Sequence, residues 1–315
     1  MVLPERIGSL LGKDPIVVLD GGARNGTFEL PGLARYVHVY GFEPNREEYE
    51  KLLTGKTDVY KASGVRPPPY AKAVFLPTAL AHFSGVRPLH VTKGPGSCSL
   101  MEPNQAVTSQ YEQGWAWNFE ISGSIQVDCS TLEQVLRGNG IDWVDYIKLD
   151  TQGNEYDILF ASEWARDRIS VIKTEVEFIE MYRGQRLFTD IDSGLRAAGF
   201  HFIDLAVTHE HRIGRGNLSV SRGKRELLWG DAYYARRFDE REAHANPVRV
   251  LKQALVLMEL GYIEYGLFML QRANIATLPL AEIRDYYKSE RRHWKRFIPV
   301  PLKTAARIAL RAISG

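Results

Sequence analysis

Short apolar runs alternate with amphipathic segments along the first 240 residues of the chain. The apolar runs are rich in β-branched residues and predict strands, whereas the segments between them predict helices. This alternation predicts an α/β fold with a mostly parallel sheet and helices on both of its faces. The predicted strands are Pro15–Asp20, Tyr36–Pro44, Ala73–Ala81, Arg87–Thr92, Val144–Asp150, Ile169–Phe178, Phe200–Leu205 and Glu226–Arg236. The predicted helices are Phe28–Arg35, Asn45–Leu53, Ser130–Gly140, Glu155–Ser162 and Thr189–Phe200.

Several of the predicted helices carry recognisable start signals. Asn45 and Thr189 each precede a helical pattern and are expected to be N-caps. Ser130 is followed three residues later by Glu133, which is the spacing of a capping box. Gly94–Gln113 is polar and rich in turn residues, so it predicts a loop that could form part of a substrate lid.

The pattern changes after residue 240. Pro247–Ala273 is helical throughout and predicts a hairpin of two helices that turns near Gly261. We therefore expect three units, namely a domain at 1–240, a small helical C-terminal appendage at 241–287 and a basic tail at 288–315. The appendage is expected to dock the protein or to pair it with a partner, and an oligomer is compatible with this arrangement.

Composition narrows the class of protein. Of the 315 residues, 44% are hydrophobic and 25% are charged, as in ordinary globular proteins. The two cysteines, Cys98 and Cys129, suggest no disulfide framework and favour a reducing compartment. The first residues lack a basic start followed by an apolar run, so we expect no signal peptide and a cytoplasmic location.

Charge is unevenly distributed along the chain. Residues 288–315 hold eight lysines and arginines against the single acid Glu290, so the tail is basic and the remainder is acidic. An acidic body argues against a general nucleic-acid binder. Within residues 289–315, basic residues recur every four positions with apolar residues between them, which is typical of an interfacial helix at the inner face of a membrane. The alternative is a solvated helix or a disordered basic end.

A glycine-rich loop follows the first predicted strand. Asp20 ends that strand, and Gly21, Gly22, Asn25 and Gly26 lie in the loop. Glycines at the carboxyl end of a parallel strand let the backbone approach a ligand closely. The spacing D-x-G-x-x-x-G lacks the G-x-G-x-x-G of dinucleotide sites, and a carboxylate here suits a cationic cofactor better than a pyrophosphate. The alternative is a tight turn with a helix-capping aspartate.

A second carboxylate, Glu43, ends the next predicted strand, 23 residues after Asp20, and Pro44 follows it. A carboxylate there can accept hydrogen bonds from both hydroxyls of a ribose. The alternative is an acid placed at the N-terminus of the following helix. Ala79 lies near the end of the third predicted strand and His82 directly follows it, where we expect an adenine pocket.

Four longer motifs stand out, namely Gly96–Asn104, Ile147–Leu159, Thr174–Leu205 and Trp229–Arg236. They resemble motifs of the FkbM-type methyltransferases. The resemblance implies a Rossmann-like class I methyltransferase fold, S-adenosylmethionine as cofactor, and O-methylation of a hydroxyl on a sugar, glycolipid or polyketide. It covers roughly residues 14–238, and Arg24 and Asn25 stand where the family loop often has a histidine or glycine.

Methyl transfer to a hydroxyl requires a positioned acceptor and a base for its proton. Asp150 ends a predicted strand at the same sheet edge as Asp20, and Glu155 follows one turn later. These two residues are our first candidates for the base or for the group that orients the acceptor. The alternative for Asp150 is a helix cap.

Glu175 and Glu177 are further catalytic candidates because their spacing of two places them on one face of a strand. The alternative is that they form ion pairs with Lys148 or Lys173. The spacing of the acidic residues does not call for a divalent cation, so no metal site is predicted.

Two other classes of function stay open at this point. A nicotinamide-dependent oxidoreductase would use a similar sheet, but the chain lacks the usual glycine fingerprint. A non-catalytic binding or assembly module would use the fold and the basic tail, and failure to bind S-adenosylmethionine would identify it.

Overall fold

The computed structural model describes residues 3–210, 225–272, 281 and 283–285. The strands are β1 Ile16–Gly21, β2 Val37–Phe42, β3 Lys72–Leu76, β4 Ala79–Leu80, β5 Gly85–Thr92, β6 Ile121–Ser130, β7 Val144–Leu149, β8 Ile169–Glu177, β9 Phe200–Glu210 and β10 Glu226–Arg236. The helices are α1 Glu5–Lys13, α2 Arg46–Thr54, α3 Asp58–Ser63, α4 Gln105–Thr108, α5 Gln113–Ala116, α6 Leu132–Gly138, α7 Glu155–Phe160, α8 Glu163–Arg166, α9 Phe188–Ala197, α10 Glu240–Ala245, α11 Pro247–Glu259 and α12 Ile263–Arg272. Three short 3₁₀ helices cover Pro31–Tyr36, Pro95–Ser97 and Trp117–Phe119.

The main sheet has seven strands in the order β3-β2-β1-β7-β8-β10-β9. Neighbours from β3 to β8 run parallel, whereas β10 runs antiparallel to both β8 and β9. One face is covered by α1 and α11, and the other by α6, α7 and α9. The predicted α/β fold, with a mostly parallel sheet and helices on both faces, is confirmed.

The helical hairpin at residues 247–272 is present and turns at Gly261, whose φ of +101° favours glycine. Its first helix, α11, is buried along most of its length and lies against β7 and β8. Gln253 Nε2 donates hydrogen bonds to the carbonyls of Ser170 and Arg236 at 3.1 and 2.9 Å. The hairpin therefore shares one hydrophobic core with the strands, and residue 240 does not separate two cores. Residues 288–315 lie outside the described part of the chain.

The connection between β1 and β2 differs from the prediction of a helix over Phe28–Arg35. It contains the 3₁₀ helix Pro31–Tyr36, which follows Leu30 in a left-handed conformation. Pro31 and Gly32 disfavour a longer α-helix at this point. The face that such a helix would cover is instead occupied by α1 and α11.

A second, three-stranded sheet interrupts the alternation between β3 and β7. Its order is β4-β6-β5, so the predicted strand Ala73–Ala81 divides between two sheets, and Arg87–Thr92 belongs to the small sheet. Most of β6 is exposed, and its sequence alternates apolar or glycine residues with polar ones, a strand pattern that the prediction missed. The predicted loop at Gly94–Gln113 contains short helical turns.

Two of the predicted caps are shifted in the structure. Thr131 and Gln134 form the capping box of α6, whereas Ser130 ends β6 and Glu133 accepts a hydrogen bond from Ser162. Thr189 lies inside α9, which begins after Leu187. Asn45 caps α2 as predicted. No helix among the described residues has both the length and the apolar composition needed to cross a membrane.

Replacing Lys252 by methionine should destabilise the fold by about 3 kcal/mol near neutral pH. Lys252 Nζ lies 3.6 Å from Asp145, which is 1% exposed, and also contacts Asp14. Burial raises the pKa of Asp145 to about 6 even though Lys252 opposes the shift. A raised pKa means that stability falls as the pH rises through that value, because the buried carboxyl group of Asp145 then ionises. Without Lys252 the ionised group is left unpaired, so the stability lost in Lys252→Met should be smaller below about pH 5 than above about pH 7.

Urea unfolding at the two pH values measures this difference, with Lys61→Met on the exposed surface of α3 as the matched control. An equal loss of stability at both pH values would show that Asp145 is not the group left unpaired.

Candidate active site

The order of the main sheet reverses between β1 and β7, where the chain leaves β1 for β2 on one side and returns as β7 on the other. Open α/β sheets bind ligands in the crevice at the carboxyl ends of strands at such a point. The loop after β1, Glu43 after β2 and Asp150 after β7 lie at this edge because these three strands are parallel neighbours. The structure therefore brings the predicted cofactor and catalytic residues to one edge.

Asp20 is buried at the end of β1, with 2% of its surface exposed. Its Oδ2 accepts a hydrogen bond from Thr27 Oγ1 at 2.6 Å, and its Oδ1 lies 3.1 Å from Lys148 Nζ. Lys148 also donates to the carbonyl of Gly22 at 3.2 Å. Burial lowers the pKa of Lys148, but the carboxylates of Asp20 and Asp150 raise it by more than burial lowers it. The ammonium group of Lys148 therefore stays charged. The positive charge of Lys148 thus neutralises the negative charge of Asp20.

The glycines of the loop are required by its path. Gly21 lies in β1, and its carbonyl accepts from the Asp150 amide at 3.1 Å. Gly22 has a φ of +88°, and a Cβ there would lie 2.2 Å from the carbonyl oxygen of Asp150. Gly26 has a φ of +92°, and a Cβ there would lie 2.7 Å from the ring of Pro67. The loop can keep this path against β7 and Pro67 only with glycine at both positions.

Arg24 and Asn25 occupy the part of the loop that departs from the family pattern. Arg24 forms ion pairs with Glu48, at 2.9 Å, and with Asp58, which tie the loop to α2 and α3. Asn25 Oδ1 is buried and has no hydrogen-bond partner among the described residues. A buried amide oxygen without a partner is costly, so it is suited to a ligand that brings a donor.

Glu43 is 94% buried at the end of β2, and its Oε1 accepts one hydrogen bond, from the Asn45 amide at 2.8 Å. Burial, reinforced by the nearby Glu48, raises the pKa of Glu43 to about 7. The Glu43 amide donates to the Leu76 carbonyl at 3.1 Å, which places the chain after β3 beside this carboxyl group. Pro44 follows at a half-buried position.

Ala79 and His82 lie on the segment that follows β3. Ala79 is buried in β4, at the core of the small sheet. His82 is more than half exposed and contacts α7, where its Nδ1 lies 3.6 Å from Asp157 Oδ2. Their contribution to an adenine pocket stays a prediction.

The residues at this edge fit S-adenosylmethionine. That cofactor presents ribose hydroxyls, an ammonium and a cationic sulfonium, and the site offers hydrogen-bond acceptors. The Glu43 carboxyl group retains acceptor capacity beyond its bond to Asn45, and Asn25 Oδ1 has none of its capacity used. Asp20 is charge-matched by Lys148, so it shapes the loop whether or not it also faces the cofactor.

The predicted acidic residues cluster around the turn after β7. Asp150 keeps 41% of its side chain exposed, and its Oδ2 lies 3.6 Å from Lys148 Nζ. Glu155 is buried and accepts three hydrogen bonds from the turn, at 2.6 and 2.9 Å from Thr151 and at 2.9 Å from the Gly153 amide. Glu155 therefore orders the turn that carries Asp150.

Glu175 and Glu177 extend the cluster from β8 and point to the same face of the sheet, as predicted. The alternative that they pair with Lys148 or Lys173 is wrong. Lys148 pairs with Asp20 and Asp150, and Lys173 lies 3.1 Å from Glu29. Both lysines are held by carboxylates closer to the glycine loop.

Burial and mutual repulsion set the charge of the cluster. Burial, followed by the Asp150 and Glu177 carboxylates, raises the pKa of Glu175 well above its usual value. Burial and then Glu155 do the same for Glu177, and burial also raises the pKa of Glu155. Burial acts in that direction on Asp150 as well, but Lys148 and the hydrogen bond from Gln152 together lower its pKa. Asp150 is therefore the most readily ionised member.

The sequence patterns did not identify Gln152 and Tyr182 as parts of this site. Gln152 Nε2 donates to Asp150 Oδ1 at 2.7 Å and to Glu175 Oε2 at 2.6 Å. Tyr182 is fully buried, and its hydroxyl lies 2.8 Å from Gln152 Oε1. The segment proposed as a lid is fastened here too, because Ser99 Oγ donates to the Gln152 carbonyl at 2.6 Å. The one available signal was that both residues lie inside the long motifs.

Comparison with known proteins places this geometry in context. The model of the methyltransferase FkbM domain matches residues 20–202. No curated protein sequence matches the chain. Among solved structures, the chain is similar to magnesium protoporphyrin IX methyltransferase from Synechocystis PCC 6803 with bound S-adenosylmethionine, at 12% identity and a TM-score of 0.32 over 74% of this chain and 79% of that one.

Two further structures show a similar level of likeness. A putative RNA methyltransferase from Pyrococcus horikoshii is 11% identical, with a TM-score of 0.32 over 75% of this chain and 81% of its own. Precorrin-6y C5,15-methyltransferase from Geobacter metallireducens is 12% identical, with a TM-score of 0.31 over 75% and 94%.

S-adenosylhomocysteine should bind more tightly as the pH rises from about 6 to about 8, and its binding near pH 7 should release protons. Ribose hydroxyls that donate to Glu43 stabilise the ionised carboxylate, and the pKa of about 7 leaves this group partly protonated without ligand. Calorimetry in two buffers of different ionisation enthalpy measures the protons released.

Glu43→Gln should weaken binding by roughly 10- to 100-fold and remove the proton release, since hydrogen bonds to charged groups contribute about 1.5–3 kcal/mol. Glu47→Gln, at an exposed position on α2, is the matched control and should bind as the wild type does. Proton release that persists in Glu43→Gln would assign the titrating group elsewhere.

Proposed function

This chain belongs to the FkbM methyltransferase family and uses S-adenosylmethionine, and from this premise we propose that it methylates a hydroxyl of a sugar, glycolipid or related natural product. The observation that supports the proposal best is Asp150, a readily ionised and partly exposed carboxylate at the end of β7. It follows β7 directly, beside the loop that would hold the cofactor. A hydroxyl acceptor needs such a base in that position.

S-adenosylmethionine supplies an activated methyl group, and the chain supplies position and proton transfer. Glu43, Asn25 and the backbone of Gly22–Gly26 would hold the cofactor. The acceptor hydroxyl would pass its proton to Asp150 as its oxygen bonds to the methyl carbon and the bond from that carbon to the cofactor's sulfur breaks, which releases S-adenosylhomocysteine. Glu155 would keep Asp150 in place through the turn, as its three hydrogen bonds suggest.

The charge of the site favours an uncharged, hydroxyl-rich acceptor. Asp150, Glu155, Glu175 and Glu177 place four carboxyl groups at one sheet edge, and Asp150 is the most readily ionised of them. Lys148, 3.6 Å from Asp150, is also paired with Asp20. A nucleic acid brings a phosphate at every nucleotide and is bound through basic residues. A sugar brings hydroxyls that donate to carboxylates without this repulsion.

Asp150→Asn should reduce the turnover number by roughly 10²- to 10⁴-fold, the usual contribution of a positioned general base. Production of S-adenosylhomocysteine can be followed with a panel of monosaccharides, glycolipids and hydroxylated natural products. Binding of S-adenosylhomocysteine itself should persist in the variant. Asp128→Asn, at an exposed position on β6, is the matched control.

Either of two results would count against this function. A folded wild-type protein that binds the cofactor and methylates amines, carbon centres or RNA, but no hydroxyl, would overturn O-methylation. Full turnover by Asp150→Asn on a hydroxyl acceptor would show that another group takes the proton.

We further propose, from sequence alone, that the basic tail brings the enzyme to anionic membranes. Residues 289–315, on which this rests, lie outside the described part of the chain. The full chain should sediment with vesicles containing anionic lipid and not with neutral vesicles, and the binding should weaken as salt is raised. A chain that ends at residue 288 should lose this binding. Equal sedimentation of both chains would reject the tail as the membrane contact.

A further inference from the structure

Gln152 has an unusual backbone conformation for its residue type. Its φ is +62°, in the left-handed region that residues other than glycine rarely adopt. Gly153, the next residue, also has a positive φ, of +104°. The turn is held in this shape by the three hydrogen bonds that Glu155 accepts from Thr151 and Gly153. This conformation places the Gln152 amide between the ends of β7 and β8.

The side-chain amide bridges two carboxyl groups. Both N–H groups on Nε2 are used, one toward Asp150 Oδ1 at 2.7 Å and one toward Glu175 Oε2 at 2.6 Å. The orientation of the amide follows from its surroundings, because Tyr182 faces Oε1 at 2.8 Å with its hydroxyl. A reversed amide would place its oxygen against two carboxyl groups and lose both of these bonds.

Neighbours on both sides fix the amide in place. The Gln152 carbonyl accepts from Ser99 Oγ at 2.6 Å. The Tyr182 hydroxyl also reaches the Ser97 carbonyl, at 3.1 Å, and the tyrosine ring is fully buried. The amide is therefore held from the loop that joins β5 to β6 as well as from its own turn.

An amide at this point adds two donors without adding charge. One amide holds the two carboxyl groups close together, and two neighbouring carboxylates repel each other, so the pair favours a state in which one of them carries a proton. Burial raises the pKa of Glu175, and Lys148 helps to lower that of Asp150, so the proton resides on Glu175. The charged and titratable groups that face the pair are Lys148 on β7, Lys173 and Glu177 on β8, Glu155 on α7, Asp231 on β10, and Tyr182.

We propose that Gln152 is a positioning residue for methyl transfer, whose amide holds the Asp150 and Glu175 carboxyl groups in one arrangement and leaves the negative charge on Asp150. This inference rests on the proposed role of Asp150. A carboxylate at position 152 would add a further negative charge to the pair, and a lysine would neutralise the base. A shorter or apolar side chain would leave Asp150 free to rotate away from the acceptor.

Two variants of Gln152 separate the effect of side-chain length from the effect of the donor groups and charge of the side chain. Gln152→Asn keeps the amide and tolerates a positive φ, but it is one methylene too short to bridge both carboxyl groups. Gln152→Glu keeps the length and replaces the donor by a carboxyl group. Gln126→Glu makes the same chemical change at an exposed position on β6 and serves as the control.

The measurements are the pH profile of kcat/KM with a hydroxyl acceptor and the titration of Asp150 by ¹³C NMR of carboxyl-labelled protein. Comparison with the spectrum of Asp150→Asn assigns the Asp150 resonance. Gln152→Asn should lose roughly 10² in kcat, the usual cost of a displaced catalytic group, with unchanged binding of S-adenosylhomocysteine. In both variants the rising limb and the Asp150 titration should move upward by about one pH unit, because a donor to the carboxylate is lost.

A wild-type rate and pH profile in Gln152→Asn would overturn the inference, and so would a loss of rate with an unmoved profile, which indicates damage to packing alone. The NMR titration of Asp150 tests the inference without any methyl acceptor. An unmoved Asp150 titration in both variants overturns the inference even when O-methylation is confirmed. Failure of O-methylation appears separately, as wild-type protein that is inactive on every hydroxyl acceptor.

Discussion

The ion pair between Lys148 and Asp20 is the interaction on which the site depends. It joins the ends of β1 and β7, the two strands between which the sheet order reverses. A buried charge left alone costs several kcal/mol, so each group requires the other. The lysine also donates to the Gly22 carbonyl and lies beside Asp150, so one ammonium links the glycine loop to the acidic turn. The glycine loop and Asp150, the proposed base, are thereby positioned by the same buried cation.

The C-terminal hairpin supports this edge from the opposite end of the strands. Pro31 and Gly32 keep the β1–β2 connection short, and α11 covers the face that this connection leaves open. Its last residue, Glu259, accepts from the Gly32 amide at 2.6 Å, and the space that a Cβ at Gly32 would need is filled by that carboxylate. The segment that follows the glycine loop is thus fastened by a helix more than 200 residues later in the chain. Removing the hairpin would expose the core under β1 and β7 and loosen that segment.

Sequence patterns predicted the main sheet because its strands carry short runs of apolar and β-branched residues, as strands in a mostly parallel sheet do. β6 carries an alternating strand pattern that the prediction missed, and its place in the small sheet depends on its pairing with β5. The shifted cap of α6 has a similar cause. Ser130 with Glu133 and Thr131 with Gln134 have the same spacing, and the length of β6 decides between them. Local patterns carry no information about such long-range pairing.

In the candidate site, too, local patterns predicted some features, whereas features that depend on distant residues were missed. Asp20, Glu43 and Asp150 were found because each directly follows an apolar run, and strand ends are visible in sequence. The charge states of these three residues could not be predicted, because they depend on groups that are distant from them in the sequence. Lys148, which matches Asp20, is 128 residues away from it, and the sequence offered Glu175 and Glu177 as equally reasonable partners.

The distribution of charge at the sheet edge also limits the acceptor. Burial keeps protons on Glu175 and Glu177, while Lys148 and Gln152 favour the ionised form of Asp150. The edge therefore presents one accessible negative charge among groups that are neutral or already paired. An acceptor that brings a hydroxyl to this point gains a hydrogen bond to Asp150, whereas a phosphate must overcome its repulsion without a free cation among the described neighbours of the cluster. Because Asp150 is also the most exposed carboxylate of the cluster, the group that would select the acceptor is the same one that would take its proton.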